Sequence, residues 1–350
     1  MKNMKVKFIL YSVLQMAMLM PLNSIQMQAK TNPKTDLAND GYKGRVKSVK
    51  ESVYAFGSGK YLNSGTYRYD ERGNYVEVYS YDMEGSLEGR YTYRYDARGN
   101  RTEGCFYDSE ENLDRKGSYK YDGKGKILEE SWSYTDGSLY EKNTYGYDAR
   151  GNEVEKNCCS GTLNSKYTYK YDERGHVIEE CRNVVGMRKT VYKYDGRENL
   201  VDARWFYEDG SLESRTSYKY NDKGKVVEAS CYSGRDGFIS RNTYKYDAKG
   251  NIVEGCSHDK NSLCKDIYKY DKKGNRVEVS TYQEGTLLNK DTYQYDKQGN
   301  LVEKCWYRSG ELIAKYKYQY DKYGNPVSEE FYRGESELVG GNKREFDYYE

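Results

Sequence analysis

Eleven times between residues 67 and 325 the chain repeats one phrase: tyrosine, any residue, tyrosine, aspartate, two variable residues, then usually glycine and asparagine. Tyr67-Arg68-Tyr69-Asp70-Glu71-Arg72-Gly73-Asn74 opens the series and Tyr318-Gln319-Tyr320-Asp321-Lys322-Tyr323-Gly324-Asn325 closes it. Successive copies start 23 to 26 residues apart. A unit that short cannot bury a core alone, so the chain must fold as a stacked array in which each copy leans on its neighbours.

Each copy divides at two turns. In the phrase, aspartate and glycine stand three apart, the preferred ends of a type I turn. The aspartate can accept bonds from the turn amides, and glycine allows the positive φ that closes the turn in a bulge. Tyrosine favours strands, and the residue three after glycine is apolar in most copies (Val76, Leu128, Val154, Val253, Val302) with glutamate usually next. The second turn carries Gly, then Ser or Thr, then Leu, as at Gly85-Ser86-Leu87 and Gly210-Ser211-Leu212. That leucine lies six and eight residues before the two tyrosines, so simple alternation puts all three on one face. Met187 and Leu263 break this spacing, sitting five residues before Tyr192 and Tyr268, which predicts a bulge or shortened loop there.

Each copy therefore reads as a β-hairpin. Eleven hairpins give about twenty-two strands of about ten residues, roughly 105 Å of sheet. The expected fold is all-β: tandem hairpins forming one long twisted, coiled antiparallel sheet. Glutamates after valine and the Lys or Arg between tyrosines should form a cross-strand charge ladder. Gly44-Arg45-Val46 starts the array with a half-copy and Phe346-Asp347-Tyr348 ends it with another, Lys343, Arg344 and Glu345 blunting the last exposed edge. The two turns that depart from the phrase, Asp195-Gly196-Arg197-Glu198 and the one opening on Asn221, should be the least regular.

Composition sets the compartment. Lys2, Lys5 and Lys7 precede a mostly apolar run over residues 8–22, and Ala29 offers a cleavage site, so residues 1–29 read as a signal peptide. Residues 30–42 then form a short linker and residues 43–350 the repeat domain. The apolar run is short for a membrane span, and a cleaved product would not span the membrane. Location is expected in the periplasm, at the cell surface or outside the cell. The formal charge is +2, falling to −1 without residues 1–29, and acids alternate with bases, which excludes a nucleic-acid binder. The mean hydropathy of −1.08 would suit a disordered chain. The 43 tyrosines argue otherwise: they replace leucine as the burying side chain. Of eight cysteines, Cys105, Cys181, Cys256 and Cys305 share one repeat position with serines. These read as small half-buried residues, with Cys256–Cys264 the favoured bridge across one hairpin and the vicinal Cys158–Cys159 pair left unassigned.

The phrase, with valine three after its glycine, resembles the YD repeat of the Rhs family over roughly residues 43–350. The resemblance implies a spiralling β-ribbon, which in large Rhs toxins and in teneurins closes into a hollow shell, and YD repeats have been linked to carbohydrate binding. It makes Tyr67, Tyr69, Asp70, Gly73 and their counterparts framework positions. The chain is far shorter than those toxins and shows neither a C-terminal toxin domain nor their core segment, so a sealed cocoon is not expected.

Chemistry is sparse. His176 stands where asparagine usually follows the turn glycine and reads as a turn substitute. His258 lies two residues after Cys256, without the further ligands a metal needs. The phrase lacks the acids of a calcium loop, and phosphate loops and G-x-S-x-G are absent. Neither cofactor nor metal is expected, and no break in the repeat gathers acid, base and nucleophile. Trp132, Trp205 and Trp306, with Phe106 and Phe331, all sit seven residues after the turn glycine or its replacement. An aligned aromatic row could bind sugars by stacking, or could be packing. The expected function is a non-catalytic exported binding or structural module whose partner is a glycan or a protein. The alternatives are a shell-like wrapper or chaperone for a toxin or partner polypeptide, and a polysaccharide-active enzyme.

Overall fold

The computed structural model describes residues 35–350 apart from 56–58, 162 and 185. The signal peptide read over residues 1–29 lies outside the described residues. A one-turn helix, α1 (Asp36–Asp40), falls within the stretch read as linker. Twenty-four strands follow. They are β1 (Val46–Ala55), β2 (Lys60–Tyr69), β3 (Tyr75–Tyr81), β4 (Leu87–Tyr95), β5 (Arg101–Asp108), β6 (Leu113–Tyr121), β7 (Ile127–Tyr134) and β8 (Leu139–Tyr147). Next come β9 (Glu153–Ser160), β10 (Leu163–Tyr171), β11 (Val177–Asn183), β12 (Met187–Tyr194), β13 (Leu200–Phe206), β14 (Leu212–Tyr220), β15 (Val226–Ser233) and β16 (Gly237–Tyr246). The last are β17 (Ile252–Asp259), β18 (Leu263–Tyr270), β19 (Arg276–Gln283), β20 (Thr286–Tyr295), β21 (Leu301–Arg308), β22 (Glu311–Tyr320), β23 (Pro326–Arg333) and β24 (Glu337–Tyr348).

Every strand pairs antiparallel with its sequence neighbours, and β1 also pairs with β24, Val49 opposite Phe346 and Ser52 opposite Lys343. The sheet is therefore a closed 24-stranded barrel, where the sequence suggested an open coiled ribbon. No edge remains to be blunted. Instead Arg344 donates to Glu51 across the seam at 2.7 Å, and the Lys343 ammonium lies 4.2 Å from the Tyr61 ring centre. Asn325, 1% exposed, accepts from the Lys43 amide and donates to the Lys43 carbonyl, stitching the last full turn to the first half-copy.

The first turn forms as its residues dictate. In the opening copy the Asp70 carboxylate accepts from the Arg72 and Asn74 amides at 2.9 Å, and the Asn74 side chain donates back to Asp70 at 3.0 Å. Gly73 has φ 86°, the left-handed region that glycine tolerates. The two departing turns keep this geometry, contrary to expectation. Glu198 adopts φ 67° and donates to the Asp195 carbonyl, while the Asn221 side-chain oxygen accepts the same two amides as an aspartate. The bonds that define the turn come from the first residue and the backbone, so loss of the glycine adds strain without changing the shape.

The second turn corrects the parity argument. In most hairpins one extra residue bulges just after the leucine, so Leu87 lies opposite Tyr81, Leu212 opposite Phe206 and Leu287 opposite Tyr282. A bulge reverses the alternation, and these leucines leave the face of the two tyrosines. Met187 and Leu263 carry no bulge and lie opposite Asn183 and His258, the equivalent positions. The missing residue in those two copies is the bulge itself, the reverse of the expected assignment. Alternation also rules out the Cys256–Cys264 bridge. Cys264 pairs with Ser257, so the two thiols point to opposite faces, and all eight cysteines are free.

Candidate functional site

The two faces of the barrel wall differ in kind. On one face most glutamates after the valine take cations from both sides. Lys120 and Lys142 flank Glu129 at 2.8 and 2.9 Å, Lys170 and Lys189 flank Glu179 at 2.7 and 2.6 Å, and Lys245 and Lys265 flank Glu254 at 2.8 Å each. These carboxyls are held below their ordinary range chiefly by the lysine hydrogen bonds. On the tyrosine face burial dominates instead. It pushes the phenols of Tyr93, Tyr169, Tyr220, Tyr293 and Tyr318 up to about 12. Side chains converge on the concave side of a closed sheet and splay on the convex side, so the tyrosines line the lumen and the ion-pair ladder faces out.

The tyrosines of each phrase do different jobs. The hydroxyl of the second one reaches back a full copy and donates to a backbone carbonyl at the first-turn bulge. Tyr95 bonds Tyr75, Tyr147 bonds Ile127, Tyr220 bonds Leu200, Tyr246 bonds Val226 and Tyr320 bonds Leu301, at 2.6 to 2.9 Å. The first copy has no predecessor, and α1 supplies the acceptor. Asp40 takes the hydroxyls of Tyr69 and Tyr75 at 2.6 Å each. At the seam Tyr349 donates to the Tyr69 carbonyl at 2.5 Å. The second tyrosine is thus framework, and no single-copy reading could reveal it because its partner belongs to the neighbouring repeat.

The five aromatic residues singled out from the sequence all lie on the lumen face, since each shares it with a residue of tyrosine parity: Trp132 opposite Gly117, Trp205 opposite Thr190, Trp306 opposite Asp291, Phe106 opposite Tyr91 and Phe331 opposite Tyr316. They do not form one strip. Phe106 and Trp132 meet through Tyr91, with ring centres 4.7 and 6.0 Å from it. Phe331 stacks on Tyr316 at 4.9 Å. Trp205 stands apart on β13, because the equivalent positions in intervening copies hold Cys158, Arg182, Cys231, Ser257 and Thr281. Trp132 lies flat on the wall where glycines make room: a Cβ at Gly104 or Gly117 would come within 2.7 or 2.8 Å of its ring.

Several charged groups on this wall are partnered. Arg101 sits 4.0 Å over the Tyr93 ring and 3.6 Å from Asp36. Lys304 lies 3.9 Å from Asp291, whose carboxyl is raised by burial. Thr281 donates to Asp266 at 2.7 Å. His176 bonds the Asp172 carboxylate at 3.0 Å, the role asparagine plays in other turns. His258 lies opposite Arg241 and Leu263, its ring 6.0 Å from Phe238. Among the described residues no three His, Cys, Asp or Glu side chains are arranged to hold a metal, and no helix is long and apolar enough to cross a membrane.

No family model matches the chain, so the resemblance drawn from its repeat phrase has no such match behind it, and no curated protein matches either. Solved structures show distant likeness. One is the Tc holotoxin pore of Photorhabdus luminescens, at 10% identity and TM-score 0.33 over 80% of this chain and 19% of that one. A porin-like protein from Bacteroides uniformis gives 9% identity and TM-score 0.29 over 86% and 98% of the two chains. Another from Bacteroides vulgatus gives 12% and 0.21 over 88% and 99%. Superposition this loose assigns no role, and the chain spans about a fifth of the toxin subunit's length.

Proposed function

We propose that the chain is a non-catalytic hollow module of the cell envelope or extracellular space, holding an extended guest polypeptide against its tyrosine-lined inner wall. The observation that carries this reading is closure of the sheet through β1 and β24. Twenty-four strands at ~4.8 Å spacing and a tilt of roughly 35–45° give a perimeter of about 140–160 Å, a circular section about 45–50 Å across. Wall side chains cannot fill such a lumen. Phenol rings alternating with partnered charges suit a mixed polypeptide surface, whereas the broken aromatic row offers no continuous track for a sugar chain. The ion-pair ladders outside suit water and not lipid. Of the carboxylates on the wall, Glu180 is tied to Arg182 and Tyr192, Asp291 lies beside Lys304 and Asp266 accepts from Thr281, which supports a role without catalysis.

The test is a photo-crosslinker placed at Tyr167 on the lumen face or at the adjacent, outward Lys166, in the protein made by its native cells. Polypeptide adducts from Tyr167 alone support an enclosed guest, whereas equal adducts from both positions, or none from Tyr167, refute it. One observation favours a glycan as second reading: Trp132 lies flat on the backbone of the lumen wall at Gly104 and Gly117. Glycan-array binding abolished in Trp132→Ala with the fold intact would support that reading instead.

A further inference from the structure

The two rims of the barrel carry different charge. The eleven first-turn loops, which follow the even-numbered strands, hold fourteen acidic and fourteen basic side chains and are neutral. The loops that follow the odd-numbered strands hold ten carboxylates, among them Glu84, Glu110, Glu208 and Glu284, against two cations, Arg235 and Lys260. That rim has a formal charge of −8.

A second feature gathers at the same rim. Of the twelve large apolar or aromatic side chains left most exposed among the described residues, ten lie in these loops or within three residues of them. Met83 is 87% exposed, Leu163 66% and Leu139 50%, and Leu263 and Met187 project similarly. Only Leu128 and Tyr323 belong to the neutral rim. In most copies the cause lies in the second turn itself: its bulge, as at Leu139 and Leu287, or the missing residue at Met187 and Leu263, moves the side chain off the lumen face. Leu163, in a hairpin without a bulge, keeps the tyrosine parity and is exposed at the start of its strand. The leucine is therefore not part of the core it seemed to belong to, and its exposure recurs around the barrel.

We infer that this rim is a docking surface for a basic polypeptide bearing apolar side chains. An acidic ring attracts and orients a cationic partner through charge complementarity, and a concentrated exposed apolar set is the signature of an interaction site. Anionic lipid or nucleic acid would be repelled. The neutral rim lacks both features. The inference is independent of whether the lumen holds a guest, because the rim is reached from outside.

The experiment measures, by fluorescence anisotropy at near-physiological salt, binding of a short alternating Lys–Leu peptide to the full chain, beside Glu–Leu and Lys–Ser counterparts. Saturable binding of Lys–Leu, about tenfold tighter than either counterpart, is expected. It should weaken about tenfold in the combined variant Glu84→Gln, Glu110→Gln, Glu208→Gln, Glu284→Gln, and similarly in Met83→Ser, Leu163→Ser, Leu263→Ser. The control Arg98→Gln, Lys124→Gln, Lys249→Gln at the neutral rim should bind like the parent, with all three variants showing the parent's circular dichroism. Equal binding of the Glu–Leu peptide, or loss only in the neutral-rim variant, would overturn the inference.

Discussion

The hydroxyl that ties each repeat to the one before it gives the sharpest prediction. Tyr220 donates to the Leu200 carbonyl at 2.7 Å, and Leu200 is 7% exposed. Tyr220→Phe keeps the ring and removes the donor, leaving a buried carbonyl without that partner, at a cost of about 1–1.5 kcal/mol. For a barrel of roughly 300 residues that is a fall in melting temperature of about 2 °C, better read as a shift of the urea midpoint at constant slope. The internal control is Tyr218→Phe. Its hydroxyl makes no hydrogen bond among the described residues, so that change should cost less than about 0.5 kcal/mol. Replacing Tyr220, Tyr246 and Tyr270 together should cost about 3–4 kcal/mol, with coupling between adjacent copies. Equal or larger loss in Tyr218→Phe would refute the assignment of the second tyrosine as the lock between copies.

Other outcomes follow from the same geometry. Glu198→Gly should stabilise by about 0.5–1 kcal/mol, since φ 67° strains any residue with a Cβ; a drop in the denaturation midpoint would contradict this. Gly117→Ala places a methyl 2.8 Å from the Trp132 ring, and should cost about 1–3 kcal/mol and alter tryptophan fluorescence. Burial raises the phenols of Tyr93, Tyr169 and Tyr318 to about 12, above the unfolded value of ~10. Their contribution is full below pH ~10 and lost as pH climbs toward 12, so unfolding and tyrosinate absorbance should rise together in that window. Tyrosinate appearing below pH ~10 with the fold intact would contradict it. Reductant should leave the melting temperature unchanged, because no cysteine pair is bonded.

Local features were legible in the sequence because they depend on local chemistry. Asp70, Gly73 and Asn74 specify their turn within five residues, and the glutamates and lysines fell into the expected ladder. Parity failed at the second turn for an equally physical reason. One bulged residue reverses every assignment beyond it, so Leu87 left the tyrosine face and Cys264 came to face away from Cys256. The five aromatic residues were placed on the wall by alternation alone, yet whether they touch depends on which residues occupy the copies between them. Closure was the least legible. It depends on the summed twist and coil of 24 strands, where a small change per hairpin separates a spiral from a barrel.

Closure is also the claim most directly open to measurement. Lys50 and Glu345 face each other across the seam, so nitroxide labels on Lys50→Cys and Glu345→Cys, with the eight native cysteines replaced by serine, should lie within about 20 Å and broaden each other's spectra. An open ribbon would leave the same labels on opposite edges of roughly 110 Å of sheet. Spin–spin distances beyond about 40 Å would contradict the barrel, and with it the enclosed lumen.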